Sequence, residues 1–181
     1  MKRNITLTIA IMTLISVASC GDRKNQQHTG KSASEEMNVQ QEKAPEIAQA
    51  TFSDEMTGKV FLNYQQIRIA LVSSNAEEAT KAIGNLVQSV PGEKEEMKSI
   101  ATAMAEVKDL EKQRALFSQL TEEVEPLFKE AIAEGAIYKQ FCPMAFEGNG
   151  GYWISDMEEI RNPYYGDKML KCGKVTETIK K

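Results

Sequence analysis

The chain has 181 residues and a formal charge of −4, with 26 acidic and 22 basic side chains interspersed along it. Such a surface is repelled by phosphate backbones and anionic headgroups, which argues against nucleic-acid binding and against electrostatic attachment to a membrane. There is no nucleophile elbow, metalloprotease helix, phosphate loop or dinucleotide fingerprint, so nothing points to an enzyme.

At the N-terminus, Lys2 and Arg3 precede an apolar stretch from Ile5 to Val17 that is too short to span a bilayer as a mature helix. Val17, Ala18 and Ser19 then precede Cys20 as small residues precede a cleavage site. Residues 1–19 are therefore expected to be a signal peptide resembling that of bacterial lipoproteins, with Cys20 acylated as the first mature residue. Loss of Lys2 and Arg3 takes the formal charge from −4 to −6. Several acyl chains on one cysteine anchor firmly where one chain is marginal. The expected location is the bacterial cell envelope, lipid-anchored to the outer membrane, with the domain in the periplasm or at the cell surface.

Residues 20–50 read as a tether. Lys24-Asn25-Gln26-Gln27 and Gln40-Gln41-Glu42-Lys43 are polar, and Met37 and Val39 are almost the only apolar residues. That composition buries too little surface to offset the entropy of ordering. His28, the single histidine, lies here and reads as a solvated linker residue rather than a ligand.

Residues 51–181 form the expected domain, and its first part has helical periodicity. Ser53 is placed to cap a helix whose apolar stripe is Met56, Val60, Tyr64, Ile67 and Leu71. Asn75 caps a second, with Glu78 at the capping-box position and Ala79, Ala82, Ile83, Leu86, Val87 and Val90 on one face. A third starts near Glu93 and turns Met97, Ile100, Met104 and Val107 inward. The fourth runs from about Asp109 to Gly135 with Leu116, Phe117, Leu120, Val124, Leu127, Phe128 and Ile132 apolar, and Pro126 predicts a kink or break within it. Short loops between amphipathic segments predict a mainly α fold, an antiparallel four-helix bundle. The methionines on these stripes, at 56, 97 and 104, read as core filler rather than as a ligand face.

Beyond Gly135 the pattern changes. Ile137 to Phe146 is short and aromatic, Gly148-Asn149-Gly150-Gly151 tolerates positive φ, and Tyr152-Trp153-Ile154 resumes a strand-like run, which predicts a β-hairpin. Alternation along an extended first arm puts Cys142 and Met144 on one face, with Pro143 confining that arm to an edge or an irregular loop. Asn162-Pro163 predicts the start of a short helix ending near Gly173, on which Tyr165, Met169 and Cys172 share a side. If hairpin and helix pack together, Cys142 and Cys172 are neighbours flanked by Met144 and Met169.

The segments Tyr138-Lys139-Gln140-Phe141-Cys142-Pro143-Met144-Ala145-Phe146, Gly151-Tyr152-Trp153 and Ile160 through Gly173 together resemble a domain of unknown function. That domain occurs in Gram-negative envelope lipoproteins and is similar to the C-terminal extension of some copper and silver efflux adaptor proteins. The resemblance spans about residues 61–179, weak over the helices and strong over the last third, within the motif region 138–173. It implies metal contact, with Cys142, Met144, Met169 and Cys172 as the matched candidates and metal-efflux components as partners. The adaptor's long hairpin and barrel modules are missing here, so pump assembly does not carry over.

Two readings of the sulfur residues stand side by side. Thiolate and thioether donors select Cu(I), and with it Ag(I), over harder ions. The domain would then hold such an ion for sequestration or for delivery to efflux. Alternatively, in an oxidising compartment Cys142 and Cys172 pair as a disulfide. Closing that loop of about 31 residues stabilises the fold by roughly 3–4 kcal/mol in the chain-entropy model, and the domain is then a non-catalytic module docking onto another envelope protein. Zinc is disfavoured by two cysteines and no histidine in the domain. The aromatics read mainly as a small core joining hairpin to bundle, with Tyr152, Trp153 and Tyr165 as the residues of an alternative binding patch.

Overall fold

Helix formation is set by caps and apolar stripes that agree with each other. The structure, a computed structural model, describes residues 50–181. The expected signal peptide, the expected acylation at Cys20 and, except for Ala50, the expected tether with His28 lie outside the described residues. Strand β1 (Thr51–Phe52) leads into helices α1 (Glu55–Val72), α2 (Ala76–Ser89), α3 (Glu95–Glu106) and α4 (Leu110–Ala131). Strands β2 (Ile132–Glu134), β3 (Ile137–Cys142), β4 (Gly151–Ser155) and β5 (Lys174–Ile179) follow. The fold is mainly helical, with small antiparallel sheets concentrated at the C-terminal end.

The helix starts follow the expected chemistry with one shift of register. Asp54, not Ser53, caps α1, its Oδ1 accepting from the Thr57 amide at 2.8 Å. Ser53 is diverted, because its amide donates to the Ala131 carbonyl at 2.7 Å where β1 meets β2. Asn75 caps α2 by accepting from the Glu78 amide at 3.0 Å, while the Glu78 carboxylate turns to Lys81 instead of closing the capping box. Asp109 caps α4 through the Lys112 amide at 2.9 Å. The residues between Pro91 and Lys94 turn the chain, so α3 starts at Glu95 rather than Glu93.

Of the kink or break expected at Pro126, the break does not occur, since α4 runs continuously from Leu110 to Ala131. Pro126 lies exposed between Glu122 and Glu130, which are exposed too. A carbonyl that loses its amide partner on that face stays open to water, which lowers the cost of the missing bond.

The apolar stripes meet as their spacing predicts. Val60, Tyr64, Ile67 and Leu71 of α1, Ile83 and Leu86 of α2, Met104 of α3, and Phe117, Leu120, Val124 and Phe128 of α4 are fully buried. Met97 joins Met104 in the core, while Met56 is half-buried. Helix α1 packs on α2 and α4, and α3 packs on α2 and α4. Phe52 closes the end of this core, with ring centroids 4.9 Å from Phe61 and 5.7 Å from Phe128. No helix among the described residues is long and apolar enough to cross a membrane.

The C-terminal sheet has the order β4-β3-β5, antiparallel throughout. Its β3–β4 hairpin matches the expected one, with Gln140 opposite Trp153 and Cys142 opposite Gly151. Strand β5 and the β1–β2 pair were not anticipated. The helix expected over residues 163–171 is absent, and only a 3-10 turn at Gly166–Lys168 forms there. Gly166 sits at φ +55, and a Cβ on it would come within 2.4 Å of Ser74 Oγ and 2.8 Å of the Val72 carbonyl. The chain is thus pressed onto the end of α1 and turns too sharply for a regular helix.

Candidate functional site

Cys142 is the last residue of β3, the central strand of the sheet, paired with Gly151 of β4 one residue beyond the last β3–β5 pair. Alternation along the strand puts Gln140 and Cys142 on the inner face, and both are fully buried. Opposite Cys142, Gly151 makes room for aromatic rings. A Cβ there would meet Tyr164 Cε2 at 2.7 Å and Phe146 Cε2 at 2.9 Å.

Cys172 comes from the other side, at the end of the loop that joins β4 to β5. Three buried polar side chains shape that loop. Gln140 donates through Nε2 to the carbonyls of Met157 at 2.9 Å and Glu158 at 3.0 Å. Arg114 of α4 donates to the Pro163 carbonyl at 2.9 Å, to Ser74 Oγ at 3.0 Å and to the Leu71 carbonyl at 3.2 Å. Asn162 donates to the Cys172 carbonyl at 2.8 Å. The Tyr164 phenol, its pKa pushed well above the ordinary value by burial, stays neutral and donates to the Tyr152 carbonyl.

The result is a thiol pair. Cys142 Sγ and Cys172 Sγ are 3.1 Å apart, both free, with Cys142 buried and Cys172 half-buried. Contact with the Cys142 thiol raises the Cys172 pKa above its ordinary value, desolvation adds to this, and the Met144 amide opposes it. Gly173 lets the chain leave close to the core. It has φ +148, and a Cβ would meet Trp153 Cη2 at 2.9 Å and the Phe141 carbonyl at 3.0 Å.

The two methionines are near this pair by backbone. The Met144 carbonyl accepts from the Tyr165 hydroxyl at 2.5 Å, and the Met169 carbonyl accepts from the Cys172 amide at 3.0 Å. Met144 follows the end of β3, so it does not share the strand face of Cys142, and its residue surface is 52% exposed. Met169 is half-buried. Tyr152, Trp153 and Tyr165 do not form one exposed patch. Neighbours on a strand point to opposite faces, so Trp153 is fully buried while Tyr152 lies outside, its ring tilted against Phe141 with centroids 4.5 Å apart and Lys139 Nζ 4.6 Å from its centroid.

The donor chemistry limits which ion could sit here. Among the described residues there is no group of three or more His, Cys, Asp or Glu side chains able to share a metal. Two thiols without a third hard donor fit a soft ion of low coordination number rather than tetrahedral zinc. An ion bridging two sulfurs at about 2.3 Å each holds them roughly 3.8–4.6 Å apart, so the pair would open by around an ångström. Disulfide formation needs closure of about the same size. In both cases the adjustment falls to the Cys172 side, which lies outside any strand and whose main chain is held by two hydrogen bonds.

A family model described as "Protein of unknown function (DUF3347)" matches residues 60–134. The match covers α1 from Val60 to the end of β2 and stops before the thiol pair. This is the reverse of the distribution read from the sequence, where the resemblance was strongest after Tyr138. No curated protein and no solved structure matches the chain.

Sequence reasoning found both cysteines and missed the residues that bring them together. Asn162 was read as a helix cap, and Arg114 and Gln140 received no role. The available signal was a polar residue in an apolar register. Arg114 falls three residues before Phe117 on the inner face of α4, and Gln140 falls two before Cys142 on the inner face of β3.

Proposed function

We propose that the chain is a lipid-anchored envelope protein that binds a soft monovalent ion, Cu(I) or Ag(I), through Cys142 and Cys172. The ion is cargo, held for sequestration or handed to metal-efflux components. The observation that carries this reading is the 3.1 Å separation of two free thiols that are 30 residues apart in sequence. Thiolates are the main donors, and the Met144 and Met169 thioethers complete or tune the site. Acylated Cys20 anchors the protein to the outer membrane, and the four helices act as an antiparallel bundle presenting the sheet. The likeness of residues 138–173 to the C-terminal extension of copper and silver efflux adaptors supports the choice of ion. No step of catalysis is assigned.

Reduced protein titrated anaerobically with Cu(I) is expected to take up about one ion per chain. A Cys142→Ser, Cys172→Ser double variant is expected to take up none. Wild-type protein that binds no Cu(I) would end the proposal.

The same separation favours a second reading, because closure by about an ångström yields a disulfide and the expected compartment is oxidising. The domain is then a disulfide-stabilised module for docking to another envelope protein. Mass spectrometry of protein isolated without reductant separates the two. A quantitative Cys142–Cys172 bond favours docking, and two free thiols favour metal.

A further inference from the structure

The two thiols are held in different ways. Cys142 belongs to a central strand, paired with Gly151 on one side, while Phe141 pairs with Lys174 on the other. Cys172 lies beyond that last rung and outside any strand. Its main chain makes two hydrogen bonds among the described residues. One is local, from its amide to the Met169 carbonyl at 3.0 Å. The other comes from Asn162 Nδ2 to its carbonyl at 2.8 Å and reaches across ten residues.

Asn162 is itself fully enclosed. It is 0% exposed, and its backbone and side-chain groups are all engaged. Its Oδ1 accepts from the Tyr164 amide at 2.8 Å, its amide donates to the Leu170 carbonyl at 2.9 Å, and its carbonyl accepts from the Gly166 amide at 3.1 Å. The adjacent Pro163 carbonyl is bonded to Arg114, which is 3% exposed and also bonded to the end of α1. A rigid line thus runs from the helices through Arg114 and Asn162 to the Cys172 carbonyl. The position calls for a side chain that accepts from one amide and donates to one carbonyl, which an amide does and a carboxylate or aliphatic group does not.

We infer that Asn162 is the positioning residue of the thiol pair, fixing Cys172 against Cys142 and so setting how strongly the two sulfurs act together. This deepens the thiol-site reading and rests on it, but its test does not require that metal bind. Preorganisation of two thiols is measured as an effective concentration, from the equilibrium in which the dithiol and oxidised glutathione give the protein disulfide and two glutathione thiols. Two protein thiols are oxidised, one glutathione disulfide is reduced, and each glutathione takes up one proton.

The test uses the full chain carrying Cys20→Ser, so that Cys142 and Cys172 are its only thiols. Asn162→Ser keeps a short acceptor for the Tyr164 amide but cannot reach the Cys172 carbonyl. It is expected to lower the effective concentration about tenfold, equivalent to a shift of about 30 mV toward a less reducing pair. Asp54→Ala removes the α1 cap at the opposite end of that helix from Leu71 and Ser74, and it is expected to reduce stability while leaving the effective concentration within about twofold. Should Asn162→Ser fail to fold, Asn162→Asp is read by the same criterion. An unchanged value in the Asn162 variant overturns the inference, and so does an equal fall in Asp54→Ala. If wild type binds no Cu(I) yet the Asn162 effect is found, the metal proposal fails and the positioning role stands.

Discussion

The helical region and the C-terminal sheet region are built on different principles, although they share one continuous core. From α1 to α4 the interior is filled mainly by apolar stripes at helical spacing, although Gln65, Arg68, Gln113 and Thr121 are also buried there and hydrogen-bonded. From Ile137 onward the chain is short of regular structure, and buried polar side chains tie main-chain carbonyls in place. Gln140, Asn162 and Tyr164 do this from within the region, and Arg114 does it from α4. The contrast teaches that the helices determine whether the domain folds, while a few amides and a guanidinium determine where two sulfurs end up.

The largest expected effect tests the helical half. Phe117 is fully buried and stacked on Tyr64, with centroids 4.8 Å apart. Phe117→Ala should destabilise the domain by about 3–5 kcal/mol through lost transfer energy and a residual cavity. Urea unfolding checks this, and in the fraction still folded the thiol pair should keep its effective concentration. A large change there would mean that the two regions are not separable as described.

A smaller effect is expected from Gln140→Ala. The substitution strips the donor from the carbonyls of Met157 and Glu158, at a cost of about 1–3 kcal/mol for buried groups left without partners. Gln140 Oε1 has no partner of its own, so nothing is lost on that side. Unlike Phe117→Ala, this change should also disturb the thiols, because the carbonyls it releases lie in the loop that carries Cys172. Glutathione equilibria for the two variants side by side sharpen the comparison.

The smallest effect is a pH dependence. The Cys172 pKa is raised, first by contact with the Cys142 thiol. Because the ligand is the thiolate, metal competes with a proton that is held more tightly than usual. Apparent Cu(I) affinity should therefore climb with pH below that raised pKa, by up to about tenfold per unit for each proton released, and flatten above it. Competition titrations at a series of pH values read the slope. A flat profile through neutral pH would mean that no thiol proton is displaced.

Much of the fold was legible because its signals are local. The stripes on α1 to α4, the cap at Asn75, the start of α4 near Asp109, and the β3–β4 hairpin each rest on neighbours within a few residues. The break expected at Pro126 does not occur because that face of α4 meets solvent, which the residue type alone does not show. Asn162-Pro163 misled because the asparagine bonds forward to Tyr164, Leu170 and Cys172, giving a wrapped loop in place of a helix. Strand β5 was missed although Val175, Thr176, Thr178 and Ile179 are β-branched, because its pairing with β3 is long-range. The cysteines could be nominated from residue type, but their approach to 3.1 Å depends on Arg114 and Asn162, whose partners are 49 and 10 residues away.

The most direct test of the central claim is X-ray absorption at the copper edge on the reduced, Cu(I)-loaded chain. The account predicts a first shell of sulfur alone, with at least two sulfurs, which the Cys142→Ser, Cys172→Ser double variant loses. A shell dominated by nitrogen or oxygen, or copper retained equally by the double variant, would contradict it.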